Sequence, residues 1–145
     1  MPDFPANPDF AAQVRATVLA MPAAKLFGFD FSRIEPGVTE LTLPYREAVS
    51  FRPGFFQGAI LGSLADFAGA TAAATLLPPG WMVSTIDYDV RIVAPAQGDT
   101  LIARGRVVKP GTTLSFTQAD VFVVREGRET QCAMAMVTTR NFEVR

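Results

Sequence analysis

The sequence contains no histidine. Chemistry that needs an imidazole is therefore excluded for this chain, which removes Ser-His-Asp and Cys-His hydrolysis, His-ligated metals and His-based dehydration together. It has one cysteine, Cys132, which can close no internal disulfide and build no cysteine zinc site, so a reducing, cytoplasmic setting is expected. Charge is also scarce, at 19% of residues against roughly 25% in an average soluble domain. Thirteen Lys plus Arg stand against 14 Asp plus Glu without a basic run, so no footprint for nucleic acid is present. Met1 to Pro5 supply no positive segment leading into an apolar one, and no signal peptide is expected.

What is present is apolar: 49% of 145 residues are hydrophobic, enough for one domain whose core needs neither metal nor disulfide. A helical segment is expected over 1–24 and the core over 25–145. Asn7 suits an N-cap and Pro8 the first helical position. Phe10, Val14, Val18 and Met21 follow at helical spacing, and Pro22 is the expected stop. Between Phe27 and Pro44 the turn signals at Gly28 and Pro36-Gly37 bracket a hairpin. After Gly80 the pattern alternates with period two, predicting strands near Val83–Val93, Thr100–Val108, Thr113–Val124 and Glu129–Phe142 with antiparallel connections. In the first of these, Ile86, Tyr88, Val90 and Ile92 are expected on one side and Thr85, Asp87, Asp89 and Arg91 on the other.

Between the hairpin and the strands, Gly58 to Leu77 is small and apolar throughout, ended by Pro78-Pro79-Gly80. Its one charge is Asp66, and no other residue between Arg52 and Asp87 is charged. Such a helix is expected to be buried on all sides. A mid-span Asp costs about 2.5 to 3.5 kcal/mol on insertion scales, and the Ala, Gly and Thr content is poor for lipid, so a membrane span is disfavoured. The fold class is therefore α+β, an antiparallel sheet curled around one long helix, with a short helix before it.

At 100° per residue, Ala59, Gly62, Ser63, Gly69, Ala70 and Ala73 share a side with Asp66, while Ile60, Leu64 and Phe67 lie opposite and suit packing on a sheet. Two readings of Asp66 stand side by side. It is a buried carboxylate satisfied by local hydroxyls such as Ser63, or it is a reactive group facing a ligand in the space the small residues leave, since no Lys or Arg lies nearby in sequence to pair it. At the start of the helix, free amides with Gly58 allowing close approach suit an anion or developing oxyanion, and Gln57 can add a side-chain donor.

The segment GFFQGAILGSLADFAG, Gly54 to Gly69, resembles the helix signature of hotdog-fold acyl-CoA thioesterases of the phenylacetic-acid-pathway type. The stretch from Val83 to Val123 resembles that family's strand, Pro-Ala turn and following hairpins. The likeness runs from about Leu26 to Asn141. It implies a hotdog fold and hydrolysis of acyl-CoA without a metal or cofactor, by a homodimer with shared active sites or a dimer of such dimers. By the same resemblance Asp66 is the general base or nucleophile, and the Gly58 amide polarises the thioester carbonyl. Thr85 falls where a hydroxyl helps position water. The family usually has His-Gly-Gly where this chain has Gln57-Gly58-Ala59, and commonly Asn at Phe51. Phe51, Phe56, Gly62 and Ala70 are expected substrate contacts, as are Lys109, Gly111, Thr112 and Thr113 of the nucleotide-side loop. A non-catalytic acyl-CoA-binding hotdog protein is the alternative.

Overall fold

In the computed structural model, which describes residues 6–145, the chain opens with two helices. The leader expectation rests on Met1 to Pro5 and lies outside the described residues. Helix α1, Phe10–Leu19, buries Val14 and Val18, and Asp9 rather than Asn7 occupies its N-cap. The reason is local: Asn7 Oδ1 accepts from the Asp9 N–H and its amide donates to Gln13, so the side chain closes a turn ahead of the helix instead of capping it. Pro22 does not end α1. It opens α2, Pro22–Phe27, where its missing N–H costs nothing. Gly28, at φ +84°, takes the left-handed position after α2, and the Arg46 guanidinium donates to the Leu26 and Phe27 carbonyls there.

A hairpin follows, β1 (Asp30–Glu35) and β2 (Val38–Pro44), then a small ribbon of β3 (Ser50–Arg52) and β4 (Phe55–Phe56), and helix α3, Gly58–Ala74. The four predicted strands are β5 (Trp81–Ile92), β6 (Thr100–Lys109), β7 (Leu114–Arg125) and β8 (Arg128–Glu143). Six strands form one antiparallel sheet in the order β1-β2-β6-β7-β8-β5. Its inner face, with Leu41, Leu43, Leu101, Ala103, Val121 and Val137 buried, closes on Leu61, Leu64, Ala65 and Ala68 of α3. This is the hotdog arrangement. No described helix is long and apolar enough to cross a membrane.

Small residues bring α3 against the sheet. A Cβ on Gly105 of β6 would lie 2.1 Å from the Ala68 carbonyl oxygen, and one on Gly69 would lie 2.6 Å from Thr117 Oγ1. Part of the expected open face, Gly69 and Ala73, is thus spent on packing. Phe67 does not pack as the expectation had it, since its ring meets Phe27 and Phe29 instead. Nor is α3 buried on all sides. Ala59 is exposed, and Ser63, Asp66 and Ala70 are half-buried.

Candidate active site

Asp66 sits on that half-buried strip, and its partner comes from β5 rather than from Ser63. Thr85 Oγ1 donates to Asp66 Oδ1 at 2.7 Å. Strict alternation would put Thr85 and the apolar residues Tyr88 and Val90 on opposite faces, yet a β-bulge between Thr85 and Asp87 shifts the register. Ile86 is the extra residue and turns outward, 56% exposed, so Thr85 and Val90 both face α3. This corrects the expected placement of Ile86. Burial raises the Asp66 carboxyl above its ordinary pKa, and the Thr85 hydrogen bond partly opposes that rise.

Asp66 and Thr85 form part of the wall of a cavity of about 380 Å³. Phe10, Val14 and Val18 of α1 close one side, and Trp81, Met82 and Val83 of β5 another. Asp66 is the only charged residue among the described ones in that wall. The chamber is therefore largely apolar, with a single charge and a few uncharged polar side chains such as Asn7, Gln13 and Thr71, which suits an apolar group attached to a reacting polar centre. Ala70, one of the expected substrate contacts, is part of its wall. Trp81, Met82 and Val83 were not singled out in the sequence, although their position at the start of an alternating run beside a helix was a usable signal.

The other expected residues lie elsewhere in the chain. Phe56 is 1% exposed and packs edge-on against Tyr45 in the core, away from the wall of that cavity. Phe51 is 63% exposed on the β3–β4 ribbon against Phe55. Gly62 is buried, with Tyr88 and Val90 nearest. Gly58 is the first residue of α3 and approaches Ile92 closely. Gln57 is the N-cap and spends its side-chain oxygen on the Ala59 N–H, leaving only its amide group free to donate. Lys109 ends β6, and Gly111, Thr112 and Thr113 form the turn after it. Asn141 of β8 fastens that turn through a 2.7 Å bond from its Nδ2 to the Gly111 carbonyl. The candidates thus fall into two groups on one chain, Asp66 with Thr85 and Ala70 in one, Gln57 and Gly58 with Phe51 in the other.

No family model matches the chain. A solved structure of a thioesterase family protein from Silicibacter pomeroyi is 30% identical, with a TM-score of 0.89 over 92% of this chain and 98% of that one. A curated protein of Halobacterium salinarum, named as a candidate esterase, is 29% identical over 141 residues, 94% of this chain and 93% of that protein. The PaaI protein from the phenylacetic acid degradation operon of E. coli shares the fold at a TM-score of 0.81 and 19% identity, over 96% of this chain and 97% of that one.

Proposed function

This chain belongs to the thioesterase family, and we propose that it hydrolyses acyl-CoA to the free acid and coenzyme A with Asp66 as the base. The observation that carries this reading is the Thr85 to Asp66 hydrogen bond at the wall of an apolar cavity. A carboxylate whose pKa is raised by burial is a stronger base than an exposed one, which suits proton removal from water near neutral pH. In the proposed step, water held near Thr85 gives a proton to Asp66 as its oxygen attacks the thioester carbon. The oxyanion is met by a helix N-terminal amide, and the CoA sulfur leaves with the proton. No cofactor enters. Direct attack by Asp66 is the competing chemistry, and label in the Asp66 carboxylate after a single turnover in ¹⁸O-labelled water would identify it, because base-assisted attack of water puts the label only in the product acid.

In this reading the donor amide belongs to a second copy. Gly58 and Asp66 are eight residues apart on α3, roughly 12 Å at 1.5 Å per residue, while a base and an oxyanion donor must both reach one reacting centre. A two-fold axis that pairs the unpaired edge strand β5 with its copy would bring Gly58, Gln57 and Phe51 of one subunit to Asp66, Thr85 and Ala70 of the other. Exposed Tyr88 and Ile92 on that edge favour such a homodimer, and a dimer of dimers is compatible with it. The reading extends to a cytoplasmic enzyme of the phenylacetic-acid-pathway type, with the lysine and glycine of the 109–113 turn on the nucleotide side. The apolar walls favour an aromatic or medium-chain acyl group. Incubation with a panel of acyl-CoAs and a thiol reagent tests the whole proposal. Thiol release lost in Asp66→Asn is the expected result. Tight binding with no release at all would make the protein an acyl-CoA binder instead.

A further inference from the structure

One buried hydroxyl close to Asp66 has no hydrogen-bond partner. Thr139 of β8 is fully buried, and its Oγ1 bonds to nothing among the described residues. Its backbone register places it between two other hydroxyls: Thr139 is opposite Thr85 on β5 and opposite Ser115 on β7. Ser115, Thr139 and Thr85 therefore form one row across three strands on the inner face, and the row ends on Asp66. Residues directly opposite across antiparallel strands have Cβ atoms about 4.5 to 5.5 Å apart, so a χ1 step or one bridging water closes each gap.

The surrounding bonds fix the direction of the row. Ser115 Oγ accepts from the Gly111 N–H at 3.4 Å and from Asn141 Nδ2 at 3.3 Å, which leaves its own proton to be given onward. At the other end the Thr85 proton is committed to Asp66, which leaves the Thr85 oxygen to accept. Only Thr139 stands between a hydroxyl with a proton to give and one with lone pairs to fill. We propose that Thr139 is a positioning residue for the hydrolysis, accepting from Ser115 and donating to Thr85 so that the Thr85 hydroxyl stays aimed at Asp66. The row also ties the base to the 109–113 turn, whose Gly111 has no room for a side chain, a Cβ there lying 2.0 Å from the Leu114 carbonyl oxygen. An unpartnered hydroxyl in a core is destabilising, and valine fills the same volume without that cost. Bonds to Ser115 on one side and Thr85 on the other remove that cost for the threonine.

The inference rests on the catalytic reading of Asp66, and its test separates the two. Wild type, Thr139→Val and Thr139→Ser are compared in kcat, KM, melting temperature and the carbon-13 titration of the Asp66 carboxyl. No other charged group among the described residues lines the cavity from α1, α3, β5 or the chain beyond β8, so that titration reports on the hydroxyl row. Thr139→Val should lower kcat roughly tenfold, the worth of one net hydrogen bond, with KM little changed. It should also move the Asp66 titration to higher pH, because the Thr85 bond holds it down, and Thr139→Ser should restore wild-type values. Wild-type kcat and titration in Thr139→Val overturn the proposal. So does an equal loss in both variants with lowered melting, which would mean packing. If the wild type hydrolyses nothing, the hydrolase reading fails while the titration still decides this one. If Thr139→Val does not fold, Ser115→Ala, which removes the donor upstream, should move the titration the same way, and no movement overturns the proposal.

Discussion

Asp66 is placed where stability and reactivity conflict. Its folded pKa is raised by burial, so the native state holds this proton more tightly than the unfolded chain does. The stability it contributes is present at low pH and is lost as pH rises through the folded value. Ionised Asp66 therefore weakens the fold at neutral pH, and Asp66→Asn should raise the melting temperature at pH 7 while lowering kcat by about 10²- to 10⁴-fold, the usual worth of a general base. Thermal melts and single-turnover hydrolysis check the two halves, and a normal rate in the Asn variant would end the catalytic assignment. The acid limb of the kcat/KM profile should lie at higher pH than an ordinary aspartate would give, since activity requires the ionised form. Thr85→Val removes the one bond that holds the pKa down, so its acid limb should sit at higher pH than that of the wild type. A pH–rate profile of both proteins measures this.

At the scale of elements, the contact between α3 and β6 is set by glycine at the crossing. Gly105→Ala puts a methyl group 2.1 Å from a backbone oxygen that cannot rotate away. Overpacking of this kind costs about 3 kcal/mol, or roughly 10 °C for a chain of this size. Gly62 behaves in the opposite way. A Cβ there meets nothing closer than 3.8 Å, from Tyr88 and Val90, and glycine inside a helix costs about 1 kcal/mol relative to alanine. Gly62→Ala should therefore raise the melting temperature by a few degrees, and a rise in KM beside it would identify Gly62 as a substrate contact. Calorimetry of the two variants in parallel tests the contrast. The bulge at Ile86 works at this scale too, because it alone lets one strand present both Thr85 and Val90 to the helix.

At the scale of the whole molecule, the proposed shared site makes a single subunit an incomplete catalyst, with Asp66 in one group of candidate residues and Gly58 in the other. Asp66→Asn lacks the base, and a Gly58 variant that displaces the amide lacks the oxyanion donor. When the two inactive variants are mixed and exchange subunits at random, about half the dimers are mixed, each with one intact site of two, and roughly a quarter of wild-type activity returns. Background activity in demonstrated heterodimers would show that each chain works alone. Sedimentation of the wild type as a dimer, with the β5 edge buried, is the companion expectation.

Local chemistry made much of this legible in the sequence. Alternating apolar residues located β5 to β8 to within about two residues, the small apolar run located α3, and a lone charge in that run singled out Asp66, because burial and period act on neighbouring residues. The second helix at Pro22 was missed, since proline opens a helix as readily as it ends one, and which it does depends on what the next turn packs against. Ser63 was the local partner offered for a merely buried Asp66, whereas Thr85, which the residues alone did not point to and only the resemblance put at the site, arrives because strand β5 crosses α3 with a bulge. Cavity walls from α1 and β5, the close approach at Gly105 and the hydroxyl row through Thr139 all join residues far apart in the chain. A sequence read along its length carries period and propensity, whereas register, bulge position and the depth at which a helix settles on a sheet are decided by packing between elements. Only the tertiary structure could place those groups beside one carboxylate.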